Sequence, residues 1–276
     1  MAHVHTSVEG GVGLLTLARP ARLNSLDVQT AQELRRAGLL LSRDPAVRVV
    51  VLRGQPGCFC SGADLKYIRA GGDDADLGYL APPGVAVRRG PGEIFKQILE
   101  YLHATISEIH RSPKPWIAAV DGIAAAGGFG LAMSCDLVFA SERASFEWAY
   151  GKTALTGAES STFVLPRLVG LRRAFGMAFL NPRLTAQQAD KADLINGVLP
   201  ADGFDAEVAA IARRVATGPP KAFAVTKALL NESAGLDRLD LHLARELEAL
   251  VRSADAPEFA EGISAFFDKR PPRFGG

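Results

Sequence analysis

The stretch KPWIAAVDGIAAAGGFGLAMSCDLVFA at residues 114–140 decides the fold class. Its apolar run at 116–120 predicts a buried strand, and a second apolar run at 137–140 predicts another. Between the two runs, small residues and glycines predict a turn that leads into a short helix. Two strands joined through a helix form a parallel crossover unit, so this stretch predicts an α/β fold.

The residues before this stretch repeat the same order of elements. Apolar residues at 4–8 and 12–18 predict two strands, and the pair of glycines between them predicts a hairpin. An amphipathic helix at about 27–44 and a buried strand at 47–52 follow. The N-terminal half of the chain therefore predicts repeated β-β-α units.

The character of the sequence changes twice further along the chain. Residues 71–92 are rich in Gly, Pro and Asp with little periodicity, which predicts a mobile surface loop and a candidate lid. An amphipathic helix follows at 93–110. After residue 140 the pattern becomes mainly helical. We therefore divide the chain into a β-β-α core at 1–203 and a C-terminal helical region at 204–276.

Composition limits the classes of partner. The 276-residue chain has 31 Lys and Arg against 30 Asp and Glu, so no field of one sign favours a nucleic acid or an anionic membrane. The N-terminus has no basic segment followed by an apolar core, and no apolar run reaches the roughly 20 residues that span a bilayer. We expect a cytoplasmic protein with neither a nucleic-acid nor a membrane partner.

The cysteines are better suited to packing than to chemistry. Cys58, Cys60 and Cys135 are odd in number and lie among apolar or small residues, which favours reduced thiols over a disulfide framework. The pair Cys58 and Cys60 has no Cys or His partner at the spacing of a zinc site. We therefore expect no metal site.

Two turns of small residues each lead from a buried strand into a helix. They read PGCFCSGADL at 56–65 and AAAGGFGL at 124–131. Small residues let a ligand approach the backbone, and the first N–H groups of a helix are free to bind an anion. One such turn is more often plain packing. Two together favour a site that stabilises a developing oxyanion, where the loss of one N–H donor costs about 3 kcal/mol.

Five motifs follow one another along nearly the whole chain. They are RPARLNSLD at 19–27, FCSGADL at 59–65, the stretch at 114–140, FVLPRLVG at 163–170 and GISAFFDKR at 262–270. Together they resemble the crotonase superfamily, which includes enoyl-CoA hydratases and isomerases. The resemblance implies a crotonase-like spiral of β-β-α units, whose C-terminal helices make the contacts of a homotrimer or a dimer of trimers. It also implies an enzyme that acts on an acyl-CoA thioester, with no cofactor beyond the coenzyme A that the substrate carries.

The resemblance also assigns site residues. It implies that Ala63 and Gly127 donate the two N–H groups that hold the thioester oxygen. It places coenzyme A near Arg22, Leu23, Ser61, Ala63, Asp64 and Leu65, with Phe266 and Lys269 reaching the nucleotide from the C-terminal helix of this or a neighbouring subunit. Asp64 has a second interpretation, because a carboxylate in the first turn of a helix caps free N–H groups whatever the ligand.

Two positions depart from the hydratase pattern. Hydratases of this superfamily use two glutamates, and the alignment puts Gly130 and Tyr150 in their places. Neither residue is a carboxylate. Tyr150 lies on a predicted strand, and a phenol with an unperturbed pKa of about 10 is a poor general base at neutral pH. This pattern disfavours ordinary hydration.

The loop before the predicted helix at 161–169 contains a candidate acid. Some members of the superfamily use a single acid in this loop, which here reads TGAESSTF at 156–163. Its one acid is Glu159, which lies one residue beyond the aligned position, Ala158. Glu159 is interpreted either as a catalytic base or as an N-terminal acid of the helix that follows. Glu147, on a predicted strand, is a weaker candidate, and the histidines are assigned mainly to the surface or to helix faces.

The leading hypothesis is an acyl-CoA enzyme that stabilises a thioester enolate and moves a proton, as in shifting an enoyl double bond. In this hypothesis Glu159 is the base and Tyr150 is its polar partner. Two alternatives remain open. One is an enoyl-CoA hydratase with non-standard acid and base groups, and the other is a non-catalytic acyl-CoA-binding protein.

Overall fold

The computed structural model describes residues 2–55, 57–77 and 90–275 and confirms the α/β fold. The described strands are β1 (Val4–Glu9), β2 (Val12–Leu17), β3 (Val49–Gly54), β4 (Cys58–Cys60), β5 (Trp116–Val120), β6 (Ile123–Ala125), β7 (Leu137–Ser141), β8 (Ser145–Glu147), β9 (Leu184–Thr185) and β10 (Gly197–Leu199). The strands predicted from apolar runs in the first 140 residues are all present, with ends that agree to within two residues.

Helices make up most of the remaining described chain. They are α1 (Val28–Arg43), α2 (Leu65–Arg69), α3 (Asp74–Leu77), α4 (Pro91–Arg111), α5 (Gly127–Met133), α6 (Ser161–Val169), α7 (Leu171–Leu180), α8 (Ala186–Lys191), α9 (Phe204–Ala216), α10 (Pro220–Ser233), α11 (Leu239–Ala254) and α12 (Pro257–Phe267), with 3-10 helices at Pro20–Arg22, Tyr150–Thr153 and Leu236–Arg238. The predicted loop and candidate lid at 71–92 begins with α3, and its positions 78–89 lie outside the described residues. None of the helices in the described ranges has the length and apolar character that a membrane crossing requires.

The larger sheet has the strand order β1-β2-β3-β5-β7-β10. The hairpin pair β1 and β2 is antiparallel, and the other neighbours are parallel, as the predicted crossovers require. Alternate residues of β3 point to opposite faces: Val50 and Leu52 join the main core, whereas Val49 and Val51 pack against α9. Helix α9 therefore covers one face of this sheet, and the division of the chain after residue 203 stays a prediction.

A second sheet, with the order β4-β6-β8-β9, positions the two small-residue turns. Strands β4 and β6 pair in parallel, with Cys60 opposite Ala124, so the turn that follows each strand lies at the same edge. The two turns pack directly on one another. A Cβ on Gly128 would lie 2.1 Å from the carbonyl oxygen of Cys60, so only glycine fits at this contact.

The segment after β8 corrects the predicted strand around Tyr150. Strand β8 ends at Glu147, Ala149 adopts a left-handed conformation (φ +60°), and Tyr150 begins a 3-10 helix. The chain therefore turns here, and it places the side chain of Tyr150 in the protein interior, where 4% of the residue is exposed. Helix α12 packs on this turn so closely that a Cβ on Gly262 would lie 2.7 Å from the Cα of Thr153.

Candidate active site

A cavity of about 380 Å³ opens where the ends of β4, β6 and β8 meet α12 and the segment at 21–25. Most of the predicted site residues line this cavity, namely Arg22, Leu23, Ser61, Ala63, Asp64, Leu65, Gly127, Tyr150, Glu159 and Phe266. Lys269 does not line it: this residue is exposed beyond the end of α12, with φ +53°. The structure thus brings the predicted residues together, apart from Lys269.

The orientation of the Ala63 N–H group is set by the pairing of this segment with Leu26. Leu26 pairs in parallel with Ala63, because the Leu26 N–H donates to the Gly62 carbonyl (2.9 Å) and the Asp64 N–H donates to the Leu26 carbonyl (2.8 Å). In a parallel pair, the residue between these two bonds directs its own N–H away from the partner strand. The Ala63 N–H therefore points away from Leu26, and Ala63 lines the cavity.

The Gly127 N–H belongs to the first turn of α5. The first four N–H groups of a helix have no partner within the helix, and no side-chain cap accepts from the start of α5. Ala126 precedes it in an unusual conformation (φ +46°, ψ −118°), with its N–H donating to the Glu147 carbonyl at 3.1 Å. A Cβ on Gly62 would lie 3.1 Å from the Gly127 nitrogen, so the two turns touch and both line one cavity.

Glu159 is a buried carboxyl beside Gly127. A Cβ on Gly127 would lie 3.0 Å from Glu159 Oε1, and the Tyr150 hydroxyl donates a hydrogen bond to Glu159 Oε2. Burial raises the pKa of Glu159 to about 8, against the lowering effect of the Tyr150 hydrogen bond. Most Glu159 side chains are therefore protonated at neutral pH, and the group can both accept and donate a proton near that pH.

The side chain of Glu159 fills the space next to Gly130. A Cβ on Gly130 would lie 2.7 Å from the Cβ of Glu159 and 2.7 Å from its carbonyl oxygen. Real Cβ atoms do not approach other heavy atoms so closely. Any side chain at position 130 would therefore occupy the space of Glu159. A glutamate at position 130 of α5 and a glutamate at position 159 of the loop exclude each other.

The loop that carries Glu159 has a strained backbone and buried supports. Glu159 and Ser160 are consecutive left-handed residues (φ +52° and +60°), a conformation that costs about 1 kcal/mol or more at each non-glycine position. Glu246 of α11 accepts hydrogen bonds from the N–H groups of Ser160 (2.8 Å) and Thr162 (2.9 Å). The carboxylate that caps α6 is therefore Glu246, whereas Glu159 points into the cavity.

His103 lies on a face of helix α4, as predicted for most of the histidines, and that face is buried beneath Glu159. Its Nε2 accepts a long hydrogen bond of 3.4 Å from the Glu159 N–H. Burial lowers the pKa of His103 to about 4, so the imidazole is neutral and able to accept at neutral pH. No local pattern predicts this contact, since His103 is 56 residues away from Glu159 and lies on the predicted helix at 93–110.

A second carboxylate in the cavity has a different environment. Glu147 lines the cavity from the end of β8, and both of its oxygens are paired with cations. Lys152 donates to Oε1, and Arg183 Nε donates to Oε2 at 3.0 Å. Sequence reasoning missed both cations, because Arg183 reaches Glu147 only through the antiparallel pairing of β8 with β9.

Asp64 holds two elements of the cavity wall together. Its side chain accepts from the Tyr67 N–H at 3.0 Å, which caps α2, and from Arg22 Nη2 at 2.5 Å. Arg19 Nη2 lies 3.2 Å from the same carboxylate. Although burial acts in the opposite direction, the hydrogen bonds of Arg22 and Tyr67 hold the pKa of Asp64 below its usual value. The geometry agrees with the architectural interpretation of Asp64 and leaves Arg22 facing the cavity.

Metal ligands are not grouped in this region. Across residues 2–55, 57–77 and 90–275, no three His, Cys, Asp or Glu side chains lie together as the ligands of one ion would. The three cysteines are buried and unpaired, and burial raises the pKa of the Cys58 thiol to about 11 and of the Cys60 thiol to about 12. These thiols are protonated at neutral pH and serve in packing.

Comparison with known proteins gives a consistent result. The family model for enoyl-CoA hydratase/isomerase matches residues 7–80 and 91–276. The 1,2-epoxyphenylacetyl-CoA isomerase of Escherichia coli K12 is 34% identical over 100% of this chain and 99% of its own length. The 4-chlorobenzoyl coenzyme A dehalogenase-2 of an Arthrobacter species is 30% identical, covering 96% of this chain and 91% of its own. The relatives thus differ in the reaction for which they are named.

Solved structures agree with the sequence comparison. The crystal structure of an enoyl-CoA hydratase from Mycobacterium avium subsp. paratuberculosis K-10 superposes with a TM-score of 0.85. It is 32% identical, and the match covers 100% of both chains. An enoyl-CoA hydratase/isomerase from Mycobacterium paratuberculosis gives a TM-score of 0.82 at 25% identity, covering 96% of this chain and 98% of its own. The fold of the whole described chain is therefore that of these proteins.

Proposed function

The chain belongs to the enoyl-CoA hydratase/isomerase family and is a crotonase-type acyl-CoA enzyme, and we propose that it moves a proton within an acyl-CoA thioester. The favoured reaction shifts the double bond of a 3-enoyl-CoA into conjugation with the thioester. The observation that carries this proposal is the position of the Glu159 carboxyl, beside Gly127 in the same cavity.

The proposed reaction begins with the thioester oxygen between the N–H groups of Ala63 and Gly127. Glu159, in its ionised form, takes a proton from the α-carbon, and the electron pair of that C–H bond moves onto the thioester oxygen as an enolate. The two N–H groups are held in place by the backbone before the reaction begins, and such preorganised donors stabilise the developing charge. Protonated Glu159 then returns the proton at the γ-carbon, so the reaction needs no further reactant.

The other cavity residues support this reaction by binding and orientation. The Tyr150 hydroxyl donates to Glu159 Oε2 and so turns the opposite oxygen, Oε1, towards Gly127. Arg22 offers a positive charge to a phosphate of coenzyme A, and Phe266 offers an exposed ring for contact with the nucleotide. A contact of Lys269 with coenzyme A would be made in the cavity of a neighbouring subunit.

Assembly into a trimer, or a dimer of trimers, is part of the proposal. Helix α7 exposes Leu171, Phe175 and Phe179, with 62%, 51% and 76% of each residue accessible in the single chain. Contiguous apolar surface of this kind is typical of a protein interface. Light scattering on the purified protein tests this point, and a monomer at micromolar concentration would contradict it.

The direct test compares two reactions. The enzyme is supplied with a 3-enoyl-CoA, and formation of the conjugated 2-enoyl-CoA is followed by its absorbance, while hydration of crotonyl-CoA is measured separately. We expect isomerisation to be the faster reaction and Glu159→Gln to abolish it. Isomerisation that survives this substitution would show that Glu159 is not the base.

Hydration is the second candidate, because Glu147 gives the cavity a second carboxylate. A hydratase needs one carboxyl to activate water and another to manage the α-carbon proton. This candidate predicts that Glu147→Gln and Glu159→Gln each abolish crotonyl-CoA hydration. A non-catalytic binding protein would instead bind acyl-CoA saturably and turn over neither substrate.

A further inference from the structure

The loop at 158–160 holds its shape although its conformation is unfavourable. Consecutive left-handed conformations at Glu159 and Ser160 persist only where surrounding contacts over-determine them. The Ala158 carbonyl accepts from the Ser161 N–H at 3.0 Å, and the hydroxyls of Ser134 and Ser160 are 2.9 Å apart. These contacts leave the N–H groups of Ser160 and Thr162 in need of another partner.

Glu246 supplies that partner from a distant part of the chain. It lies on α11, more than 80 residues after the loop, and 4% of the residue is exposed. Its Oε2 accepts from the Ser160 N–H at 2.8 Å, and its Oε1 accepts from the Thr162 N–H at 2.9 Å and from the Thr162 hydroxyl. Both oxygens are therefore used, and each holds a different residue on the C-terminal side of Glu159.

We infer that Glu246 is a positioning residue for Glu159: it fixes the left-handed turn that aims the Glu159 carboxyl at Gly127. This inference rests on the proposed role of Glu159 as the base. Glu246 does not line the cavity and touches no substrate atom. Its effect on the reaction passes through the backbone of Ser160 and Thr162.

The bidentate arrangement explains why a carboxylate is needed at this position. Glutamine would keep one acceptor oxygen, but its amide group would direct N–H bonds at the second backbone N–H. One of the two donors, Ser160 N–H or Thr162 N–H, would then be buried without a partner, which is costly. Aspartate is one methylene shorter, so its oxygens would not reach both donors. The loop would relax from the left-handed turn, and the Glu159 carboxyl would move.

The charges around this pair determine how a pH profile is interpreted. Three titratable groups face Glu159, namely Tyr150, His103 of α4 and Cys60 of β4. Glu246 faces His242 of α11. The cations near His242 are Arg167 of α6 and Arg245 of α11. Besides burial, the charge of Glu246 contributes to raising the pKa of Glu159. Removal of that charge therefore moves the titration of Glu159 to lower pH.

The experiment compares Glu246→Gln with Asp255→Asn in the full-length enzyme. Asp255 also accepts a backbone N–H at a helix start, since its Oδ1 is 2.8 Å from the Gly92 nitrogen in the first turn of α4, but it does not line the cavity. We expect Glu246→Gln to lower kcat about 30-fold, because a misplacement of about 1 Å has effects of this order. The dissociation constant for acyl-CoA should change less than about twofold, and the pH midpoint of kcat should fall.

The control and the contrary outcomes separate positioning from stability. Asp255→Asn keeps an acceptor oxygen for the Gly92 N–H but removes a carboxylate from the start of α4, so it should lower the melting temperature slightly and leave kcat within about twofold of the wild type. If Glu246→Gln keeps wild-type kcat while Glu159→Gln is inactive, the inference is wrong and the proposed function stands. If Glu159→Gln is itself active, the proposed function fails.

A second variant covers the case in which Glu246→Gln does not fold. Thr162→Val removes the hydroxyl, which donates to Glu246 and lies 2.7 Å from Nε2 of His242, and it keeps the Thr162 N–H and the side-chain volume. We expect a decrease in kcat of only about threefold with unchanged acyl-CoA affinity, because the Thr162 N–H still donates to Glu246 in this variant. Unchanged kcat in this variant would overturn the inference.

Discussion

Two glutamates line the same cavity, and their surroundings make them chemically different. Glu147 has a cation on each of its oxygens, Lys152 on one and Arg183 on the other. Glu159 has no cation among the groups that the described residues place on its carboxyl, and its hydrogen-bond donor there is the Tyr150 hydroxyl. The first carboxylate is therefore held on both oxygens by cations, while the second is able to change its protonation state near neutral pH.

The two environments distinguish two acids of the same residue type. Burial raises the pKa of Glu159 to about 8, which suits a group that takes a proton and returns it within one reaction. Glu147 instead makes ion pairs with Lys152 and Arg183. When two acids in one cavity have such different environments, the environments indicate which acid transfers the proton and which acid orients or binds other groups.

The largest expected effect is on turnover when each glutamate is replaced. Glu159→Gln should lower kcat for isomerisation about 1,000-fold, because it removes the proton carrier. Glu147→Gln should lower kcat less than about tenfold, since it disturbs the cavity wall but not the proton transfer. Steady-state kinetics on both variants provides the measurement. A larger loss for Glu147→Gln would reverse the two roles.

The next effect comes from the space that Glu159 occupies. Gly130→Ala should lower kcat about 100-fold, because the new methyl displaces the Glu159 side chain by a large fraction of 1 Å or more. Gly38→Ala is the matched control, since a Cβ at that position in α1 makes ordinary van der Waals contacts of 3.6 Å with Trp116 and 3.7 Å with Thr105. The control should keep full activity and gain about 0.5–1 kcal/mol in unfolding free energy. Equal activity of the two variants would show that Gly130 does not position Glu159.

A smaller effect is expected from the hydroxyl on Glu159. Tyr150→Phe removes a hydrogen bond that lowers the pKa of Glu159, so the pKa should rise further above about 8. Because the base must be ionised, activity increases with pH through this pKa, and the midpoint of the kcat profile should move to higher pH. At neutral pH we expect kcat to fall about tenfold. A midpoint that moves to lower pH would contradict this account of the pair.

The smallest effect is expected at the cations of Glu147. Arg183→Met removes one partner of Glu147 and leaves Lys152 in place. The Arg183 side chain is 61% exposed, so its ion pair contributes little free energy. We expect kcat to change less than about threefold. A loss beyond tenfold in the same assay would mean that the charge of Glu147 takes part in the reaction.

The sequence predicted the larger sheet because its strands are long apolar runs. Val49 to Leu52 and the strand at 116–120 are buried on both faces, and such runs are recognisable without other information. The smaller sheet was missed in part, because strands of two or three residues carry too little periodicity to detect. For the same reason Tyr150 was wrongly placed on a strand.

Only those residues of the candidate site that belong to a local sequence pattern were predicted. Ala63 and Gly127 were found because small residues precede a helix in both places, and Glu159 was found because its loop contains one acid. His103 and Glu246 carry no such local signal. Their contacts with the loop depend on how α4 and α11 pack, across 56 and 86 residues of sequence, and this packing cannot be derived from spacing.

The most direct test follows the proton itself. A 3-enoyl-CoA labelled with deuterium at the α-carbon is converted in ordinary water under single-turnover conditions, and the γ-carbon of the product is examined by mass spectrometry and NMR. If Glu159 both takes and returns the proton in a buried site, part of the deuterium appears at the γ-carbon, and Glu159→Gln transfers none while Glu147→Gln still does. Transfer that persists in Glu159→Gln would contradict the assignment of Glu159 as the proton carrier.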